Sequence, residues 1–99
     1  MMNTHRIVDD ASGKFDALLL ELYSSNKLQE DNAISVLIRC RKDSLEKAIA
    51  RVESLAGRIQ RTIATFQLIA AWIPANRLLT LAEDSNILEI AYEQEYVVA

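Results

Sequence analysis

The sequence predicts a single α+β domain, built on a four-stranded antiparallel sheet with two helices against one face. Segments with strand-like alternation or many β-forming residues are separated by segments whose apolar residues recur at helical spacing. The chain has 99 residues, of which 51% are hydrophobic and 25% charged, which is a globular balance for one domain.

The first predicted element is an amphipathic helix from Ser12 to Tyr23. Its apolar residues at helical spacing are Phe15, Leu18, Leu19, Leu22 and Tyr23. Ser12 is placed to cap the start of the helix, and Ser24-Ser25-Asn26 to end it. We assign residues 1–31 to an N-terminal extension that carries this helix, and residues 32–99 to the main domain.

The main domain begins with a strand from Ala33 to Cys40, followed by the clearest helical pattern in the chain. One side of the strand carries Ile34, Val36, Ile38 and Cys40, and the other carries Ala33, Ser35, Leu37 and Arg39. Asp43 and Glu46 form a capping-box pair at the start of the helix Ser44–Ala56. Gly57 then follows where a left-handed residue is expected.

Residues 58–73 are rich in β-forming residues and too numerous for one ordinary strand. Two strands with a tight reversal near Thr62–Thr65 fit this length. Pro74 is expected to open a helix at its first position, with Leu78, Leu79 and Ala82 on the buried side and Asp84-Ser85-Asn86 at its end. The segment from Ile87 to Glu93 alternates again and predicts the last strand, with Leu88, Ile90 and Tyr92 on one face.

These elements give the order β-α-β-β-α-β for the main domain. Right-handed crossovers place both of its helices on the same side of the sheet, which predicts a ferredoxin-like sandwich preceded by an extra N-terminal helix. The other face of the sheet is open. Strand alternation assigns to it the apolar residues Leu37, Phe66, Leu68, Ala70 and Trp72.

The apolar open face needs a cover, because a contiguous apolar surface of this kind usually marks an interface. The sequence leaves three possible covers for this face: the first helix folded back over it, a second copy of the chain in a homodimer, or a different protein docked there.

The sequence offers no convincing site for catalysis, a cofactor or a metal. The single cysteine, Cys40, has no histidine near it in sequence, because the only histidine is His5. The two glycines, Gly13 and Gly57, make no phosphate-binding loop. We therefore expect a protein-binding domain that is not an enzyme and has no cofactor.

Charge and hydropathy exclude two classes of partner. The net charge is −3 and the 11 basic residues are spread along the chain, so nucleic acid is not an expected partner. No apolar run reaches the 18 or so residues that span a membrane, and no apolar signal core follows the N-terminus. The expected location is the cytoplasm.

Several segments together carry a resemblance to a known family. They are the strand Ile34–Ile38, the helix Ser44–Ala56 closed by Gly57, the run Ile69-Ala70-Ala71-Trp72-Ile73-Pro74, the helix core Leu78-Leu79-Thr80-Leu81-Ala82, and the ending Asp84-Ser85-Asn86-Ile87-Leu88-Glu89-Ile90. With this pattern, about two-thirds of the chain resembles the propeptide-type inhibitor domain of subtilisin-like serine proteases. That family includes free-standing proteinase inhibitors.

The resemblance implies a mode of action. In that family the open sheet face docks on surface helices of the protease, and the C-terminal tail lies extended in the substrate cleft. Carried over here, the tail is residues 94–99, with Ala99 in the primary specificity pocket and Tyr96 in an apolar pocket. Val97 and Val98 lie between them, and the backbone of the tail pairs with the strands of the cleft.

The sequence departs from the family pattern at one place, an acidic contact with the protease. The family often places adjacent acidic residues just after the last strand isoleucine, where they meet helix N-termini of the protease. Those positions here are Ala91 and Tyr92, with Glu89 and Glu93 nearby. We expect a stand-alone inhibitor, with a related chaperone-like role, of a subtilisin-like serine protease. The alternative is a self-associating structural module with the same fold and no protease target.

Overall fold

The computed structural model describes residues 13–24 and 32–93, which form an α+β fold with a four-stranded antiparallel sheet and three helices. The strands are β1 (Ala33–Cys40), β2 (Arg58–Ile63), β3 (Leu68–Pro74) and β4 (Ile87–Tyr92). The helices are α1 (Ala17–Ser24), α2 (Leu45–Ser54) and α3 (Leu78–Ala82), with 3-10 turns at Ala64–Phe66 and Ala75–Arg77. The order across the sheet is β2-β3-β1-β4. The predicted α+β class and antiparallel sheet are confirmed.

One face of the sheet forms the core with the three helices. The core-facing strand residues are Ile34, Val36, Ile38, Cys40, Ile69, Ala71, Ile73, Ile87 and Ile90. The helices add Leu19, Ala48, Val52, Leu78, Leu81 and Ala82 to the same cluster. Strand β1 is the central contributor, because it pairs with both β3 and β4, and its bounds agree with the prediction. No helix among the described residues has the length and apolar character that crossing a membrane requires.

The helix α1 starts later than its apolar pattern predicts, at Ala17 instead of Ser12, which lies outside the described residues. Phe15 is not helical, because it forms a parallel bridge with Ile90 on β4. Asp16 caps the helix instead, since its Oδ1 accepts hydrogen bonds from the backbone N–H of Leu19, at 3.0 Å, and of Tyr92, at 3.2 Å. The same carboxylate therefore starts the helix and attaches it to the sheet.

Both ends of α2 differ from the sequence prediction. Asp43 does not form a capping box with Glu46. Its backbone is left-handed, with φ 64°, and it lies one position before Ser44, the N-cap residue. Ser44 precedes the helix instead, and its hydroxyl donates to Asn86 Oδ1 at 3.2 Å. At the other end the left-handed residue is Ala56, with φ 64°, and not Gly57.

Gly57 is required by lack of space instead of by backbone conformation. A Cβ at this position would lie 2.6 Å from Ile73 Cδ1, 2.7 Å from Val52 Cγ1 and 2.8 Å from the Val52 carbonyl oxygen. Atoms do not approach one another this closely, so a side chain here would force Val52 or Ile73 to shift. The glycine thus allows the helix to end directly against the sheet.

The reversal between β2 and β3 and the position of Pro74 also differ from the prediction. The turn is centred on the 3-10 segment Ala64–Phe66 and closed by Gln67, whose φ of 57° is left-handed, about two residues later than expected. Pro74 does not open a helix. It ends β3 opposite Ala33, and the following 3-10 turn leads into α3.

Two bulges change which residues face the core. The first bulge lies in β4. The neighbouring β1 residues Arg39 and Cys40 pair with Glu89 and Ile87, so Leu88 is an extra residue in β4. Leu88 was predicted to share a face with Ile90 and is instead exposed. In β2 the register shifts in the same way between Ile59 and Arg61.

Candidate docking surface on the open sheet face

The face of the sheet away from the core is an ordered array of side chains. Three rows cross it from β2 to β4: Ile63, Leu68, Arg39 and Glu89; then Arg61, Ala70, Leu37 and Ala91; then Arg58, Trp72, Ser35 and Glu93. Directly paired residues of antiparallel strands point to the same side, so each row is one line of neighbours. We call this surface, made of these twelve residues, the open face.

The helix α1 does not lie over the open face. Phe15 and Leu19 are buried in the cluster that the core-facing strand residues form, and Tyr23 packs against that cluster. Tyr23 also meets the Phe15 ring edge-on, with ring centroids 5.5 Å apart. The first of the three possible covers, the N-terminal helix, is therefore contradicted. This helix lies on the core side of the sheet, opposite the apolar residues that it was expected to cover.

Most of the predicted interface residues lie on the open face. They are Leu37, Leu68, Ala70, Trp72, Glu89 and Glu93. Of the apolar members, Leu37, Leu68 and Trp72 are partly exposed, as are Ile63 and Ala91, which were not predicted from sequence. These side chains leave an apolar surface that no described helix covers.

Phe66 does not belong to the open face. It lies in the 3-10 turn at the tip of the β2–β3 hairpin, where strand alternation does not apply, and it is 67% exposed. It is the most exposed large apolar side chain among the described residues.

Ala70 lies on the open face and is nevertheless only 1% exposed, and Ser35 in the next row is only 7% exposed. None of the three described helices covers these positions. Arg61 on β2 reaches across the sheet, and its Nη2 lies 3.3 Å from Oε2 of Glu93. Glu93 Oε1 in turn accepts a hydrogen bond of 3.0 Å from the Ser35 hydroxyl. The ion pair therefore divides the apolar surface that the sequence predicted as continuous.

A second ion pair lies in the first row, where Arg39 Nε is 3.2 Å from Glu89 Oε1. Two of the three arginines of the open face, Arg58 and Arg61, lie on β2 at one side of the sheet, whereas both glutamates lie on the β4 side. Arg58, Arg61 and Arg39 were not assigned to the interface from sequence. Alternation along β1 does place Arg39 on the same side as Leu37. In β2, Arg58 and Arg61 share a side only because of the bulge between Ile59 and Arg61, which strict alternation does not predict.

The two edges of the sheet differ. The outer edge of β4 is covered by residues 14–16, because Asp16 N–H donates to the Ile90 carbonyl and Ile90 N–H donates to the Lys14 carbonyl, at 2.9 and 2.8 Å. Within the described residues β2 pairs with β3 alone, so its other side is a free edge. Its bulge and its two arginines are features that disfavour pairing with another strand.

The predicted cleft-binding residues Tyr96, Val97, Val98 and Ala99 lie outside the described residues, as does His5. The last described residue is Glu93, whose backbone N–H donates to the Ser35 carbonyl at 2.9 Å. The chain therefore continues toward the predicted tail from a residue that is still paired with β1.

Cys40 has the environment of a small core residue. It is 2% exposed, and burial raises the pKa of its thiol, so the nucleophilic thiolate is disfavoured. Its Sγ lies 3.5 Å from the Gln67 carbonyl oxygen. Within residues 13–24 and 32–93, no group of three or more histidine, cysteine, aspartate or glutamate side chains is placed to hold a metal ion.

Comparison with known proteins adds no assignment. No protein-family model matches the chain, and no curated protein sequence matches it.

Proposed function

We propose that the chain is a ferredoxin-like, propeptide-like inhibitor of a subtilisin-type serine protease, which docks by its open face and places its C-terminal tail in the substrate cleft. The observation that carries the proposal is the arrangement of the two sides of the sheet. All three described helices lie on one side, and the partly exposed apolar residues lie on the other.

The strand order supports the ferredoxin-like part of the proposal. In that fold the first and third strands are central and the second and fourth lie at the edges, which is compatible with the order β2-β3-β1-β4. The crossovers through α2 and α3 leave the opposite face of the sheet free for a partner. The resemblance to the inhibitor family assigns that face to the protease.

The apolar residues of the open face can supply the docking energy. Covering about 300 Å² of apolar surface contributes about 7 kcal/mol before the costs of association. Trp72 is the largest of these residues and lies in the third row, the same row as Glu93, after which the chain proceeds toward the tail. Tryptophan is also the residue type most enriched among side chains that dominate binding energy.

The acidic side of the face supports docking on helix N-termini of a protease. Glu89 and Glu93 lie on the open face, so their carboxylates belong to the surface that a docked partner would cover. A carboxylate at a helix N-terminus is stabilised by the helix dipole and by unpaired backbone N–H groups. In the unbound chain each carboxylate already has an arginine partner, which the protease would have to replace.

Replacing Trp72 with aspartate is expected to raise the inhibition constant against a subtilisin-type protease by about 30-fold or more. The substitution removes an aromatic contact and places a charge that docking would have to desolvate. The measurement is a titration of the purified protein into the protease, with peptide hydrolysis as the readout.

Leu20→Asp is the matched control for Trp72→Asp. Leu20 is 38% exposed and lies on α1, on the opposite side of the molecule, so its substitution should leave inhibition unchanged. Equal inhibition by the wild-type protein and Trp72→Asp, or no inhibition by the wild-type protein, contradicts the proposal.

A second candidate function is self-association through the same face, and the charge distribution favours it. Basic residues on the β2 side and acidic residues on the β4 side form a pattern that a two-fold axis makes complementary to itself. Light scattering discriminates the two functions. A stable dimer that Trp72→Asp converts to a monomer, together with no effect on any subtilisin-type protease, supports self-association.

A further inference from the structure

The ion pair between Arg61 and Glu93 crosses most of the sheet. Arg61 lies on the edge strand β2, and Glu93 directly follows β4 at the other side, with β3 and β1 between them. Three strand spacings amount to about 14 Å, so both side chains must lie extended along the surface to meet. We call the Arg61 and Glu93 side chains together the strap.

The path of the strap explains the burial of the residues beneath it. Ala70 is the cross-strand partner of Arg61, and Ser35 donates a hydrogen bond to Glu93, so the line between the two anchors passes over both. Ala70 and Ser35 are the two buried residues of the open face. Trp72 lies beside them, two residues along β3 from Ala70 and directly opposite Ser35.

The ion pair of the strap contributes little to stability, so it can open, and burying its charges beneath a partner requires free energy. Its arginine side chain is 58% exposed and its glutamate side chain 28%, and solvated ion pairs of this kind contribute little to stability. A partner that covers the closed strap must remove both charges from water, and one contact of 3.3 Å recovers only part of that cost. Docking is therefore easier when the strap opens and the arginine swings toward solvent.

We propose that the strap is an autoinhibitory contact, which closes the centre of the open face in the free protein and competes with docking there. Opening it exposes Ala70 and the neighbouring edge of Trp72. Removing the arginine abolishes this competition. The competition with a protease rests on the proposed function, whereas the shielding of Trp72 does not.

Trp72 reports on the strap without any partner, because it is the only tryptophan in the chain. Arg61→Met removes the charge but keeps an apolar side chain, and it is expected to raise the acrylamide quenching constant of Trp72 fluorescence about twofold. Glu93→Gln, which also removes the ion pair, should act in the same direction, and so should raising the salt concentration for the wild-type protein. Arg61→Glu combined with Glu93→Arg, which reverses the pair, should restore the shielding.

Arg39→Met is the matched control for Arg61→Met. It is the same substitution on the same face and also removes an ion pair, but Arg39 lies two rows from Trp72. It should leave the quenching constant unchanged. Quenching that is the same in the wild-type protein and Arg61→Met, or that rises equally with Arg39→Met, overturns the proposal.

The inhibition assay measures the competition itself. Arg61→Met is expected to inhibit a subtilisin-type protease about two- to fivefold more tightly than the wild-type protein, the range that an exposed ion pair can supply. Equal or weaker inhibition by Arg61→Met contradicts the competition. If the wild-type protein shows no inhibition at all, the proposed function fails, and the quenching experiment alone decides on the strap.

Discussion

Removing residues 94–99 is expected to abolish inhibition, raising the inhibition constant by about two orders of magnitude or more. The proposed mechanism needs two contacts, one by the open face and one by the tail. A free tail binds weakly because ordering it is costly, whereas a tail tethered to a docked face binds at a high effective concentration. The measurement compares the truncated and full-length proteins in the same titration of protease activity.

A second variant separates the loss of side chains from the loss of chain length. Replacing residues 94–99 with a Gly-Ser segment of equal length should weaken inhibition nearly as much as truncation does, since Tyr96 and Ala99 supply the proposed pocket contacts. Thermal unfolding of both variants should match that of the full-length protein. Inhibition that survives truncation contradicts the tail mechanism and leaves docking of the open face as the sole source of binding.

Replacing Leu19 with alanine is expected to destabilise the protein by about 2–5 kcal/mol, the range for a large aliphatic residue in a packed core. Leu19 lies on α1, outside the main domain as defined from sequence, yet it is 0% exposed and belongs to the same cluster as Ile90. The expected loss arises because removal of its methyl groups leaves a cavity between the helix and the sheet. Urea unfolding followed by circular dichroism measures this change.

Leu20→Ala provides the control for Leu19→Ala, because the two leucines are adjacent in α1 and differ in burial. Leu20 is 38% exposed, and its replacement should change the free energy of unfolding by less than about 0.5 kcal/mol. If the two variants are equally stable, α1 does not contribute to the core as the structure describes.

Strand β1 could be predicted to the residue, and the bulged strands could not. In β1 the core-facing Ile34, Val36 and Ile38 alternate without interruption, so period two is visible over the whole element. A bulge inserts one residue and reverses the alternation beyond it, and no residue type marks its position. Leu88 was placed with Ile90 for that reason, although the two face different ways.

The ends of helices were predicted less well than their apolar sides, because an end depends on contacts between distant segments. Asp16 caps α1 while it binds Tyr92, and their separation of 76 residues is not visible as a local pattern. Gly57 was correctly singled out but for a different reason, since the constraint comes from Ile73 on β3 and not from its own backbone. Ser44 likewise finds its partner in Asn86.

Several apolar residues of the open face and its two glutamates could be placed from the sequence, whereas its arginines and their contacts could not. The alternation of side chains along β1 and β3 places Leu37, Leu68 and Trp72 on one side of the sheet, and this placement needs no knowledge of the strand order. The strap joins Arg61 to Glu93, which are 32 residues apart and lie on opposite sides of the sheet. That contact can be recognised only once the order of all four strands is known.

The most direct test of the docking surface is hydroxyl-radical footprinting of the protein, free and in complex with a subtilisin-type protease whose catalytic serine has been chemically inactivated. Side-chain oxidation, read by mass spectrometry, should fall for Leu37, Leu68 and Trp72 in the complex and stay constant for Leu20. Protection of Leu20 with unchanged oxidation of the other three would place the partner on the helical side of the molecule. That result would contradict the assignment of the open face as the binding surface.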